Sequence, residues 1–161
     1  MIFSKSFGYA VRSVLYIVLM QEKKRYVQAE EIAETLVVPR HFVSKILKKL
    51  VKAGVLHSSK GKTGGFASNE KTSGFLLFQL YEITDGNDTL KKCALRLQDC
   101  HAANPCPLHV QMDEIKQKLK TILSVTTIGN LVNYDKDDFV RSLATLPGKA
   151  TQRAKFIATK R

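Results

Sequence analysis

No stretch of the chain reaches the roughly 18 uninterrupted apolar residues that a membrane span needs. The apolar segment from Phe7 to Met20 carries Arg12 in its middle and has no small-residue cleavage site behind it, so it does not read as a secretory signal. There is no C-x-x-C pair and no nucleophile set beside a base and an orienting partner. Gly61-Lys62-Thr63 imitates the end of a phosphate-binding loop, but the earlier glycine of that motif would fall where Leu56 stands. These absences argue against an enzyme and against a membrane protein, and the expectation is a soluble, cytoplasmic chain. Cysteine is scarce, and three is an odd count that suits no disulfide framework in a reducing compartment.

Acids are also scarce, 14 against 26 lysines and arginines, for a net charge of +12. The excess sits at the ends: residues 1–71 hold 13 bases and 5 acids, whereas residues 72–132 hold 6 of each. A basic first half beside a neutral middle fits a polyanion-binding module joined to a part with another task, the alternative being a merely solvated basic surface. With 161 residues and 44% hydrophobic content, the chain can bury one core and carry an appendage.

Phe7, Val11, Val14, Leu15 and Val18 recur at helical spacing and predict a first helix over 4–20 with a buried face. A second, short helix follows from Gln28 to Leu36, with Ile32, Ala33 and Leu36 inward, and Pro39 ends it by disfavouring helical geometry at Val38. The third runs from about Pro39 to Ala53 and stops at Gly54, with Phe42, Val43, Ile46, Leu47 and Leu50 expected on its inner face. Two helices joined by a tight turn, the second with a basic outer stripe, make a helix-turn-helix for double-stranded DNA. Base edges are met by the N-terminal residues of the second helix, so Arg40, His41, Ser44 and Lys45 are the candidate readers of sequence. Lys48, followed by Lys49 and Lys52, is placed to meet phosphates or water.

Residues 55–66 read as two short strands joined by a glycine-rich basic loop, a wing. Lys60 and Lys62 supply charge at its tip, and Gly64 and Gly65 allow close approach to a narrow groove. A further helix is expected from Ser73 to Thr84. The fold class is therefore mainly α with a small β-hairpin wing: a winged helix-turn-helix domain over 1–84, a cysteine-bearing loop over 85–107, and a long pairing helix with its following segment over 108–133. Residues 134–161 read as weakly helical and then as a basic tail. The long helix carries Leu108, Met112, Ile115, Leu119, Ile122 and Thr126 in steps of four and three, a heptad seam. Such a seam pairs with the chain's own core or with a second copy. The second copy is favoured, because a homodimer would read the two halves of a palindromic operator.

Cys93, Cys100 and Cys106 form a C-x6-C-x5-C set. Three randomly placed cysteines would fall in so short a window about one time in fifty, which points to a shared task. Soft thiolates hold iron-sulfur clusters, and three leave one position for another ligand. His109 is the local candidate for it, with His101 as runner-up. Zinc is the rival metal, although structural zinc sites favour tighter C-x2-4-C pairs.

Several short segments together resemble the Rrf2 group of bacterial winged-helix regulators, of the iron-sulfur-cluster-regulator and nitric-oxide-sensitive-repressor kind. They are Tyr9-Ala10-Val11, Glu31-Ile32-Ala33, Leu50-Val51-Lys52-Ala53-Gly54-Val55, Lys60-Gly61 with Gly64-Gly65-Phe66, the cysteine triplet, and Thr127-Ile128-Gly129-Asn130-Leu131. The resemblance spans about Ser4 to Asn133. It implies a homodimer with a winged domain at each end, a long helix crossing between protomers, and a cluster that reports iron-sulfur supply, nitric oxide or redox state. Three departures stand out. The first cysteine gap is six residues where five is common, and Lys60 replaces the usual arginine. Gly8 cannot supply the first-helix carboxylate that some members give to four-iron clusters. This favours a 2Fe-2S cluster on Cys93, Cys100, Cys106 and His109, with 4Fe-4S as the alternative. The functional expectation is a cluster-sensing transcriptional repressor; the alternative is a cluster-free regulator that uses thiol oxidation, zinc or a protein partner.

Overall fold

Ser4 starts the first helix, α1 (Lys5–Met20), by accepting the backbone N–H of Phe7 on its hydroxyl at 3.0 Å, which satisfies one of the donors a helix start leaves unpaired. The computed structural model describes residues 3–86, 90, 92–93 and 105–134. Ala10, Val14, Leu15 and Ile17 of α1 are fully buried and form the centre of the core. Against them pack α2 (Ala29–Leu36) through Ile32, Ala33 and Leu36, and α3 (Arg40–Lys52) through Val43, Ile46, Leu47 and Leu50. None of the described helices is long and apolar enough to cross a membrane.

Polar groups fix how α2 sits on α1. Arg12, the charge inside an otherwise apolar helix, donates to the carbonyl of Leu36 at 3.0 Å, capping a bare carbonyl where the helix dipole is negative. Burial lowers its pKa. Tyr16 donates to Glu31 at 2.7 Å, and Lys24 pairs with the same carboxylate at 2.7 Å. Burial pushes the Tyr16 hydroxyl up to about 12, with Glu31 adding to the rise, so it remains a neutral donor throughout the physiological range.

The turn between α2 and α3 holds a strained residue. Val37 has φ 54° and ψ 50°, the left-handed region, where a β-branched side chain costs about 1–2 kcal/mol. Its side chain is exposed and offers little burial in return. Val37→Gly is therefore expected to stabilise the protein by about 1 kcal/mol, after allowing for the greater entropy of glycine in the unfolded chain. Urea unfolding monitored by circular dichroism measures this; a lower midpoint in the variant would mean that Val37 packs more strongly than its exposure indicates.

After Gly54 the chain forms a hairpin, β1 (Leu56–Ser59) and β2 (Gly65–Ser68), paired antiparallel from Leu56 with Ser68 to Ser59 with Gly65. The hairpin is tied to the segment before α2: Val27 and Phe66 exchange backbone hydrogen bonds of 2.9 and 2.8 Å. Buried Thr72 then accepts from the Asn69 N–H and donates to the Val55 carbonyl, closing the base of the wing.

The helix expected from Ser73 begins four residues later, as α4 (Leu77–Asp85), after a 3-10 turn at Thr72–Gly74. Phe75 and Leu76 are extended because their backbone is used elsewhere. Leu76 bridges to Thr127, Leu77 N–H donates to the Thr126 carbonyl at 2.9 Å, and Ile128 N–H donates to the Phe75 carbonyl at 3.0 Å. These bonds fasten the end of the long helix, α5 (His109–Val125), and the start of α6 (Ile128–Tyr134) to the winged part. Leu123 and Ile128 complete the attachment by entering the common core with Leu80 and Tyr81.

Candidate nucleic-acid interface and cysteine segment

Helix α3 presents two unlike faces. Val43, Ile46, Leu47 and Leu50 are buried, whereas Arg40, His41, Lys45, Lys48, Lys49 and Lys52 are exposed and Ser44 is half-buried. Phe42, expected on the inner face, is instead 48% exposed and lies against the His41 ring at 4.5 Å between centroids. Side chains lean toward the N-terminus of their helix, so in this first turn Phe42 points past the end of the core formed by the described residues.

The wing rises beside that end of α3. Lys60, Gly61 and Lys62 are exposed at its tip, and Gly61 uses φ 105° to turn there. Gly64 and Gly65 lie lower, buried and half-buried. A Cβ on Gly64 would stand 2.3 Å from the Ser59 carbonyl oxygen, and one on Gly65 would stand 2.5 Å from that of Val27. Both glycines thus have a purpose within the wing's own base, which the sequence alone did not reveal. A groove of about 630 Å³ separates wing and helices; Gln28, Glu30, Arg40, Gly61, Lys62 and Phe66 are among the residues lining it. The Gln28 side chain spans its edge, donating to the Lys62 carbonyl at 2.9 Å. Arg40 and Lys62 are thereby set around one cleft, with Lys60 exposed beside it at the wing tip. The pairing of Arg40 with Glu30 across the helix-turn-helix was not foreseen. Glu30 looks, in sequence, like any acid in a helix's first turn.

Of the cysteines, Cys93 and Cys106 are described, and both are tied to α5 through the backbone, Cys93 by way of its neighbour Lys92. Cys93 is buried, and the carbonyl of its neighbour Lys92 accepts from the Lys116 ammonium at 2.6 Å. Cys106 is half-buried, and its carbonyl accepts from the His109 N–H at 2.9 Å, which places this thiol and the half-buried imidazole one turn apart at the start of α5. Cys100 and His101 lie outside the described residues. Among the described residues no three His, Cys, Asp or Glu side chains come together as a metal site. The donor set present there is two soft thiols and one imidazole, a chemistry suited to iron-sulfur or zinc.

On α5, Leu119 and Leu123 turn inward, while Leu108, Ile115 and Ile122, seven residues apart, are 44%, 51% and 57% exposed. Half of the expected heptad seam is therefore exposed among the described residues.

Comparison with known proteins gives three findings. The family described as Rrf2, iron-dependent transcriptional regulator, matches residues 3–134. An HTH-type transcriptional regulator of Aquifex aeolicus is 32% identical over 138 residues, covering 84% of this chain and 94% of the relative, and the transcriptional regulator IscR of Vibrio atlanticus is 25% identical over 124 residues, covering 77% and 70%. In structure, the chain is similar to CymR, the global cysteine regulator of B. subtilis, with a TM-score of 0.66 at 16% identity over 83% of this chain and 97% of that one.

Proposed function

Because the chain belongs to the Rrf2 family of transcriptional regulators, which bind DNA and are not enzymes, we propose that it is a homodimeric repressor of a palindromic operator, with affinity set by an iron-sulfur cluster on its cysteine segment. The observation that carries the DNA half of this reading is the convergence of Arg40, at the exposed start of α3, and Gly61–Lys62 of the wing tip on one cleft. In that role Arg40, His41, Ser44 and Lys45 meet base edges in the major groove, and Lys48, Lys60 and Lys62 meet phosphates. Gly64 and Gly65 hold the wing in position. The uncovered Leu108, Ile115 and Ile122 stripe supports pairing with a second copy, since such a row of apolar side chains on a helix is buried by another helix.

Cys93, Cys100 and Cys106 would hold the cluster, with His109 as fourth ligand and a two-iron form favoured over a four-iron one. A bound cluster supplies a centre whose oxidation, nitrosylation or loss can be read by the protein. The chain's own part is mechanical. Lys116 latches the backbone just before Cys93 to the middle of α5, and the far end of α5 is hydrogen-bonded to Phe75–Leu77. A change at the cysteine segment would reach the winged domain through this helix.

The test is anaerobic purification followed by visible spectroscopy, iron and sulfide assay, and operator titration. About two irons and two sulfides per chain are expected, with a spectrum altered in His109→Ala and absent after replacement of all three cysteines by alanine. Operator affinity should differ between the two cluster states by about 5- to 150-fold, the usual range of coupling between sites. A colourless protein that takes up no iron on reconstitution would leave a DNA-binding dimer whose thiols act without a cluster.

A further inference from the structure

Neither α3 nor the hairpin with its loop contains an acidic residue. Yet Glu30, in the first turn of α2, lines the cleft between them and is ion-paired with the Arg40 guanidinium. Both side chains are exposed, and an exposed ion pair adds little to stability. Complementing the α2 dipole does not require Glu30 either, because Glu31 occupies the same turn and is held there by Lys24 and Tyr16. On a surface that meets a polyanion, a carboxylate opposes binding. Its effect must therefore lie in what it does to Arg40.

A free arginine at the first position of a recognition helix has a long, mobile stem and turns to the nearest phosphate. Held from one side by a carboxylate, its planar fork keeps a fixed direction and offers its remaining N–H groups as a pair. That pair matches the O6 and N7 acceptors of guanine. Gln28, two residues before Glu30, grips the wing at Lys62, so the start of α2, Arg40 and the wing are set relative to one another before DNA arrives. We infer that Glu30 is a specificity-determining positioning residue that aims Arg40 at a guanine and withholds it from phosphates. The inference rests on the DNA-binding reading of α3.

The experiment is selection from a randomised duplex pool, with salt titration on a random-sequence duplex, for the wild type, Glu30→Gln, Arg40→Gln, the double variant and Glu30→Asp. Glu30→Gln is expected to bind random duplex more tightly, with a salt slope steeper by about one unit as Arg40 turns to a phosphate. It should lose preference at one guanine per half-site by about 5- to 100-fold. Arg40→Gln should lose the same position, and the double variant should lose no more. Glu30→Asp, which retains the charge, should retain the wild-type slope. An unchanged slope with unchanged preference in Glu30→Gln, or losses at different positions in the two single variants, would overturn the assignment. A wild-type pool that enriches no sequence would instead overturn the DNA reading itself, independently of Glu30.

Discussion

Replacing Gly65 by alanine is expected to destabilise the protein by about 3 kcal/mol, combining strain at an unusual φ with a steric clash. Its φ of 149° lies where side chains are rarely found, and the added Cβ would meet the Val27 carbonyl oxygen at 2.5 Å and its carbon at 2.8 Å. Those are backbone atoms of the bridge that anchors the wing, so no side chain can swing aside to relieve the contact. For a chain of this size the loss corresponds to a fall of roughly 10 °C in thermal midpoint. DNA affinity should fall as well, because the wing tip loses its fixed position relative to α3. Gly61→Ala is the control: φ is 105°, but among the described residues nothing lies within 4 Å of the new methyl, so only backbone strain is expected. Equal thermal midpoints for the two variants would show that the base of the wing yields easily and that Gly65 has no special place there.

The second large effect is expected at Ile115. Its side chain is 51% exposed on the protomer, so Ile115→Glu should leave the unfolding midpoint of an isolated protomer nearly unchanged. In a two-fold symmetric pair it would put two unpartnered carboxylates into an apolar seam. Burying unpaired charge costs several kcal/mol, enough to raise the dimer dissociation constant by at least about a hundredfold. Sedimentation at micromolar concentration should then report a monomer, and a palindromic duplex should be bound one half-site at a time. A variant that remains dimeric would move the interface away from this stripe.

What the sequence disclosed follows from the range of the interactions concerned. Helices α1, α2 and α3 were legible because their buried residues recur every three or four positions and because Pro39 and Gly54 punctuate the chain. The wing was legible from its glycines and flanking β-formers. Phe42 was misread because periodicity places it on the inner face but says nothing about where that face ends. The start of α4 was missed because Phe75 and Leu76 pair with residues about fifty positions away, a commitment that no local pattern records. At the candidate site, the type and order of the cationic residues were readable. The acid that holds one of them was not, since its role depends on α2 and α3 meeting across the turn. The cysteine spacing raised the expectation of a shared chemistry, and Cys100, the middle member of the set, lies outside the described residues.

The hydrogen bonds between Phe75–Leu77 and Thr126–Ile128 make α5 a lever with a fixed pivot. Seventeen residues at about 1.5 Å each give an arm of roughly 25 Å. Cys106 and His109 stand at its N-terminal end, and Lys92 is attached about midway. A sideways movement of about 2 Å at the N-terminal end would amount to a rotation of only about 5° at the pivot. Such an arm would pass on angle rather than translation. In the proposed dimer, two such arms related by a two-fold axis would turn their winged domains symmetrically, and the quantity regulated between half-sites would be the mutual orientation of the recognition helices.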